Sequence, residues 1–340
     1  MTIEMWTILL AAAVAVAAML LFRRGSLRHR RTRGKDADRV RTEDALKHLH
    51  DCEERHVSCT RESIAGAIGE GEDAAAQLLS RLAALGLVET RDGVFTLSDP
   101  GRAYALRVIR THRLWERYLA DETGVPETSW HRSAEEAEHR LSSEQAERLA
   151  ARMGNPRYDP HGDPIPTEAG ELPGPRGIPL TRLAAGEIAA VVHIEDQPAQ
   201  VYAELVAHGF HPGTRLRVLG TSPAEMRVEA DGRTVALRAL VAANITVSRL
   251  PAESPLPRAE TTLDCLTVGE QGRVASLSPA CRGMQRRRLM DMGVVPGSVI
   301  RAEFRSPGGD PTAYRIRGAV VALRADHARL ILVDRVREGA

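Results

Sequence analysis

The feature that most constrains the fold is an internal repeat in the C-terminal half of the 340-residue chain. The segment LAAGE at 183–187 returns as LTVGE at 266–270, and VALR at 235–238 returns unchanged at 321–324. Similarity at a nearly constant period indicates copies of one structural unit. The sequence therefore predicts two copies of one module, over 178–250 and 261–336.

Each copy alternates in the manner of short β-strands. In the first copy the pattern predicts strands at 189–194, 215–219, 226–229 and 234–237, with a short helix before a Pro-Gly turn. We therefore expect each copy to be a small SH3-like β-barrel with one helix. Both copies resemble the FeoA domain, a small cytoplasmic accessory of the ferrous iron transporter FeoB.

A basic patch lies beside the predicted helix of the second copy. It is either a solvated helix face or a surface for an acidic partner. The patch comprises Arg282, Arg286, Arg287 and Arg288.

The N-terminal segment is strongly apolar. Residues 5–22 contain Thr7 as their one polar side chain, and a run of arginines follows directly. Eighteen helical residues span about 27 Å, close to the hydrocarbon thickness of a bilayer. Basic residues stay on the cytoplasmic side, so the pattern predicts a transmembrane helix over 5–22 and a basic juxtamembrane linker over 23–40. The alternative is a cleaved signal peptide, which has the opposite charge order.

Residues 41–110 have the element order of a winged helix-turn-helix. Helical patterns cover 44–54, a short segment beginning at 58, and 73–85. Two short apolar segments then flank 91–93, which is a hairpin signal. The alternative is any other small α+β domain.

Histidine and glutamate side chains recur at helical spacing in the middle of the chain. One set lies on the long helix that begins at Asp99, and the other on a helix near Trp130. Fe(II) and Mn(II) suit mixed imidazole and carboxylate donors, and facing helices can supply them. The alternative for any one pair is a solvated charged face. The residues are His112, Glu116, His131, Glu135, Glu138 and His139.

With these residues in view, the segment 41–173 resembles the diphtheria toxin repressor family, whose members are iron- or manganese-dependent regulators. The matching stretches include TED at 42–44, GLV at 86–88, HRLWER at 112–117 and DPHGDPIP at 159–166. The resemblance implies a winged helix, a metal-binding and dimerisation region over 111–172, and an SH3-like tail. It also implies two metal sites, one from His112, Glu116 and His131, the other from Asp44, Glu135, Glu138 and His139.

The resemblance leaves the metal open between Fe2+ and Mn2+. Carboxylates at Asp44 and Glu135 match the manganese-sensing branch, whereas Lys47 stands where that branch has a further acidic ligand. Glu195 or Gln197 is the candidate for an additional ligand from the first C-terminal module. In this family a bound metal bridges the first helix to the ligand-bearing helices and sets the spacing of two winged helices in a homodimer.

The predicted DNA-reading surface is poor in positive charge. Residues 41–110 hold nine basic and twelve acidic side chains, so counterion release contributes little affinity. Acidic residues at the start of the third helix either oppose DNA phosphates or complement the helix dipole. The candidate DNA-binding residues are Gln77, Arg81 and Arg91.

These observations predict a multidomain α+β fold with an N-terminal transmembrane helix, a winged helix-turn-helix, a helical metal-binding region and two SH3-like FeoA modules. The expected function is a membrane-anchored, single-pass, Fe2+- or Mn2+-dependent transcriptional regulator of metal homeostasis, with its C-terminal bulk cytoplasmic and operator DNA as partner. The alternative is a metal-sensing adaptor of a FeoB-type ferrous iron transporter that does not bind DNA. An enzyme is not expected, because the chain shows no Ser/His/Asp order, phosphate-binding loop or nucleophilic cysteine with a nearby base.

Overall fold

A computed structural model describes residues 36–336, except 92, 175, 255, 257, 258 and 260. Within this part the chain forms two compact units. The first unit contains the residues up to Ile109 together with Glu138–Arg140, and the second contains Arg110–Ala137 and the residues from Leu141 onward.

Three helices and a β-hairpin build the first unit. Thr60 begins the second helix through a capping box with Ser63, and Gly69 ends it in the left-handed conformation at φ 65°. The buried leucines of the first and third helices form one core with Ile64. The elements are α1 (36–54), α2 (Arg61–Ile68), α3 (Glu72–Ala84), β1 (Val88–Arg91) and β2 (Val94–Leu97).

Three further helices follow the hairpin. The longest, α4, contributes residues to both units, because the boundary falls after Ile109. In the second unit Trp130 packs on Leu119 and Ala120, and its indole N–H donates to the carbonyl of Val125 at 2.9 Å. These helices are α4 (Asp99–Glu122), α5 (Trp130–Glu138) and α6 (Ser143–Arg152).

The two C-terminal modules have the same sheet plan. Each is a six-stranded antiparallel sheet, in the order β3-β8-β4-β5-β6-β7 for the first and β13-β12-β11-β10-β14-β9 for the second. Each module has its own apolar core. The first contains β3 (Ile178–Pro179), β4 (Ile188–Ile194), α7 (Ala199–Ala207), β5 (Arg215–Thr221), β6 (Glu225–Ala230), β7 (Arg233–Arg238), α8 (Ala239–Ala242) and β8 (Ile245–Leu250). The second contains β9 (Thr261–Thr262), β10 (Gln271–Leu277), α9 (Gly283–Asp291), β11 (Val299–Arg305), β12 (Thr312–Ile316), β13 (Ala319–Leu323), α10 (Ala325–Ala328) and β14 (Ile331–Arg335).

The second module touches the helical part of the second unit at the start of α9. The Arg282 guanidinium donates to the carbonyl of Pro160 at 2.7 Å. Gly283 lies so close to α4 that an added Cβ would stand 2.1 Å from the carbonyl oxygen of Asp121. Arg282 is therefore separate from the exposed face of Arg286, Arg287 and Arg288.

The expected transmembrane helix requires a correction. Among the described residues, no helix combines the length and the apolar character that a membrane crossing needs. The 24-residue α4 is long enough, but arginine and acidic side chains are distributed along it. Segment 5–22 itself lies outside the described residues. The fold class is therefore corrected: the described residues form a multidomain α+β fold, and no transmembrane helix is among their elements.

Candidate metal centres

The first candidate centre lies in the second unit, and we call His112, Glu116 and His131 the histidine cluster. One ligand atom from each residue lies within 4.8 Å of the other two. His112 and Glu116 are one turn apart on α4, and His112 Nε2 lies 3.2 Å from Glu116 Oε1. His131 in the first turn of α5 places Nδ1 3.5 Å from the same oxygen. Helical spacing therefore accounts for the pair on α4, and the fold brings His131 on α5 to the same carboxylate.

Asp196, in the segment after β4, adds a carboxylate to this cluster. Its Oδ2 atom lies 3.0 Å from His131 Nδ1. The sequence comparison named Glu195 and Gln197 as candidates for a ligand from this module. The structure instead places Asp196, the residue between them, at the cluster. The sequence could not identify it, because an irregular segment has no periodicity that tells which side chain points inward.

His161 also faces the histidine cluster, and sequence reasoning missed it. The Asp159 carboxylate accepts hydrogen bonds from the backbone N–H groups of His161, Gly162 and Asp163 at 2.8, 2.8 and 2.9 Å. This turn directs His161 Nδ1 to 3.5 Å from Glu116 Oε2. The DPHGDPIP stretch was the available signal, since it places a histidine and an aspartate two residues apart in a polar turn.

Three buried polar atoms in this region have no geometrically satisfactory hydrogen bond among the described residues. They are Glu116 Oε1, His131 Nδ1 and His161 Nδ1. Buried polar atoms are nearly always satisfied, so three together require an explanation. A divalent cation among them would provide the missing interactions, and imidazole and carboxylate suit Fe2+ and Mn2+. The residues present therefore fit such an ion.

The surroundings of His131 and His161 raise the pKa of both imidazoles and so favour their protonated forms. Burial alone would lower the pKa of His131, but the nearby carboxylates of Asp196, Glu116 and Glu135 raise it to about 12. Burial alone would raise the pKa of the Glu116 carboxyl, yet the neighbouring His112 holds it well below its usual range. A dication would replace these protons as the positive charge beside Glu116.

The second candidate centre lies in the first unit, and we call Asp44, Glu138 and His139 the Asp44 cluster. One ligand atom from each lies within 4.8 Å of the others. His139 Nε2 lies 3.2 Å from Asp44 Oδ1 and 3.7 Å from Glu138 Oε1. On the other side of the ring, Nδ1 lies 2.6 Å from Glu43 Oε2. A carboxylate on the second ring nitrogen is the usual device for orienting a metal-binding histidine.

Lys47 sits against the Asp44 cluster. Its Nζ atom lies 3.0 Å from both carboxylate oxygens of Glu138. This ammonium neutralises the buried Glu138 carboxylate and competes with a metal for it. Lys47, which stands where the manganese-sensing branch has an acidic ligand, therefore adds positive charge to this cluster instead of a ligand oxygen.

Glu135 is placed with the other centre. Its Oε1 atom lies 3.4 Å from His131 Nε2, and its side chain is 53% exposed. Of the four residues that the resemblance groups into one site, the structure joins Asp44, Glu138 and His139, whereas Glu135 contacts the histidine cluster.

The three candidate DNA-binding residues are exposed on the first unit. Gln77 and Arg81 lie on α3 and line one groove with Arg41. Arg81 Nη1 lies 3.5 Å from Asp38 Oδ1, and Arg91 Nη2 lies 3.0 Å from Glu89 Oε2. Both arginines thus already have acidic partners.

Comparison with known proteins places these centres in context. The iron dependent repressor, metal binding and dimerisation domain matches residues 98–167, and the FeoA domain matches 178–249 and 261–335. The iron-dependent repressor IdeR of Mycobacterium tuberculosis is 36% identical over 159 residues, which cover 44% of this chain and 69% of that repressor. IdeR of Mycobacterium leprae is 33% identical over 197 residues, 54% of this chain and 85% of that repressor. A manganese-dependent transcriptional repressor in complex with manganese is 34% identical, with a TM-score of 0.56 over 62% of this chain and 100% of that one.

These matches confirm both family resemblances and correct the expected location. Members of the family are named as iron-dependent and manganese-dependent repressors, so the expected cofactor, Fe2+ or Mn2+, is confirmed. The expected cell-membrane location is wrong: the relatives described above are named as repressors, and the described helices include no membrane span. The membrane and a ferrous iron transporter find no support as partners, and the relatives described above are named as repressors.

Proposed function

Because the chain belongs to the iron-dependent repressor family, we propose that it is a homodimeric repressor whose operator binding requires Fe2+ or Mn2+ at both clusters. His112, Glu116 and His131 are the ligands of one site, with His161 and Asp196 completing its surroundings. Asp44, Glu138 and His139 are the ligands of the other site. Glu135 belongs to the surroundings of the first site, where it contacts His131.

The observation that carries this proposal is the trio of buried atoms without hydrogen bonds around Glu116. Such atoms destabilise a metal-free protein. Since they come from α4, α5 and the 159–163 turn, a cation bound among them ties three separate segments together. The bound ion supplies charge neutralisation, and the protein supplies the geometry.

The route from metal to DNA runs through α5 and α1. The helix α5 carries His131 at its start and Glu138 at its end, so it supplies ligands to both clusters. Asp44 lies on α1, the first helix of the winged-helix unit. A metal that binds one arrangement of α1 and α5 more tightly than others shifts the population toward that arrangement.

The DNA surface in this proposal comprises Gln77, Arg81 and Arg91. Glutamine reads an adenine edge, whereas the arginines approach phosphates. Because both arginines pair with acidic residues in the free protein, DNA binding breaks those pairs first. Since this exchange releases few counterions and the unit is poor in positive charge, we expect operator affinity to depend only weakly on salt concentration.

The test is DNA retention with and without metal. Duplexes are selected from a random pool with the purified full chain and Mn2+, or anaerobically with Fe2+, and affinity is then measured by fluorescence anisotropy. We expect binding that a chelator abolishes and that His112→Ala or His139→Ala weakens at least tenfold. His327→Ala, at an exposed histidine, is the matched control. Selected DNA that binds equally well in chelator would contradict the proposal.

A further inference from the structure

Two cysteines and one histidine form a further cluster in the first unit, apart from the Asp44 and histidine clusters. Cys52 and Cys59 are buried at 5% and 3% exposure, and His48 is half-buried. One donor atom from each of the three lies within 4.8 Å of the other two. We propose that His48, Cys52 and Cys59 form a binding site for a single thiophilic dication of the zinc class.

The geometry is close to what such an ion requires. A tetrahedral zinc with bonds of about 2.3 Å to sulfur and about 2.0 Å to nitrogen holds its ligand atoms about 3.5 to 3.8 Å apart. Cys52 Sγ already lies 3.5 Å from His48 Nε2, because the two residues are one turn apart on α1. Cys59, which approaches from the segment before α2, completes a set of three protein ligands.

The donor chemistry separates this site from the other two. Thiolates select zinc and similar soft ions, whereas the other clusters offer only imidazole and carboxylate. Burial lowers the pKa of His48, so its ring is neutral and able to coordinate. Burial and the neighbouring Cys59 raise the pKa of the Cys52 thiol to about 12, so a metal must displace a proton to bind there.

A metal at this position would cross-link separate elements of the first unit. Cys59 forms an isolated antiparallel bridge with Phe95 on β2, and it directly precedes Thr60, the N-cap of α2. The ion therefore joins α1, the start of α2 and the hairpin. Buried cysteines also serve as small apolar side chains in a core, which is the interpretation that the experiment must exclude.

Cobalt(II) is the probe, because thiolate coordination produces a near-ultraviolet charge-transfer band that imidazole and carboxylate ligands do not. The full chain is titrated anaerobically under a phosphine reductant, in the wild type and in a Glu116→Gln/His139→Ala background. We expect one equivalent to generate the band in the Glu116→Gln/His139→Ala protein, the same band to saturate at one thiolate-bound cobalt per chain in the wild type, and Zn2+ to bleach it by displacement. This result is independent of Fe2+, Mn2+ and DNA, so its failure is distinguishable from failure of the proposed function.

Substitutions assign the band to its ligands. Cys52→Ala and Cys59→Ala should each lower cobalt affinity by about 100-fold or more, beyond what outer-shell changes typically cost. Cys281→Ala, at a buried cysteine in the second unit, should leave the band unchanged. His48→Gln keeps both thiols and the core, and should weaken binding at least tenfold, so that the test does not depend on a cysteine variant folding. The site would be overturned if one equivalent gave no thiolate band in the Glu116→Gln/His139→Ala protein, or if the band survived in a Cys52→Ala/Cys59→Ala protein.

Discussion

The histidine cluster and the Asp44 cluster use the same donor types but treat their negative charge differently. Glu116 faces histidines, and Glu116 Oε1, His131 Nδ1 and His161 Nδ1 have no satisfactory hydrogen bond. Glu138 is instead bound by the Lys47 ammonium through both of its oxygens. The positive charge beside Glu116 is on imidazoles, which can exchange a proton for a metal at the same position, whereas the positive charge beside Glu138 is on a lysine side chain that must move away. We expect the histidine cluster to bind metal more tightly.

Removing Glu116 should have the largest effect on that difference. Glu116→Gln deletes the charge that His112, His131 and His161 share, and Mn2+ affinity at the histidine cluster should fall by roughly 100-fold or more, the upper range for perturbed metal sites. Isothermal titration calorimetry checks this, with Glu204→Gln as a control on an exposed ion pair. An unchanged first binding event would show that the tighter site lies elsewhere.

The pH dependence of the Asp44 cluster is the next effect in size. Burial lowers the pKa of His139, but hydrogen bonds to Asp44 and Glu43 outweigh it and raise the pKa to about 9. Metal needs the neutral ring, so below pH 9 one proton must leave and affinity falls as the pH falls. In Glu116→Gln protein, Mn2+ affinity should drop about 100-fold from pH 8 to pH 6, tenfold per unit for one released proton. A flat profile would show that His139 is not a ligand.

Shortening a ligand of the Asp44 cluster should have a smaller effect, since its competing ammonium already limits affinity. Glu138→Ala or His139→Ala should lower metal affinity there by about tenfold. Calorimetry in the Glu116→Gln background isolates this event. Binding that is unaltered in both variants would refute the assignment of this cluster.

Removing the competitor should give the smallest change, in the opposite direction. Lys47→Gln frees the Glu138 carboxylate, and Mn2+ affinity at the Asp44 cluster should rise about fivefold, corresponding to the ~1 kcal/mol of a partly exposed ion pair. Arg61→Gln, at an exposed arginine outside the cluster, is the control. Weaker binding in Lys47→Gln would mean that the lysine supports the site instead of competing for it.

Periodic elements were predictable from the sequence, and their contacts were less so. Alternation located β4 and β6 to within a residue at each end, because strands with one buried face repeat every two residues. Helical spacing likewise joined His112 to Glu116. The helix α1, however, is already present at residue 36, where polar residues conceal its periodicity.

Sequence reasoning missed two side chains that lie outside a repeating pattern, Asp196 and His161, and it grouped the predicted ligand Glu135 with the wrong cluster. Asp196 follows a strand in an irregular segment, and His161 is directed by the turn that Asp159 caps. Glu135 has helical spacing to both His131 and His139, and only the fold decides that it contacts His131. Tertiary placement, which no local period encodes, therefore determined these three positions.

The hydrogen bond from Arg282 to Pro160 has a consequence for the architecture as a whole. Pro160 adjoins His161, so the second C-terminal module is hydrogen-bonded to the turn that places this imidazole beside Glu116. Without the Arg282 hydrogen bond the turn would lose one of its restraints, while every ligand side chain would remain present. Truncation after the first module would therefore change ion binding at the histidine cluster, although the removed residues include no ligand.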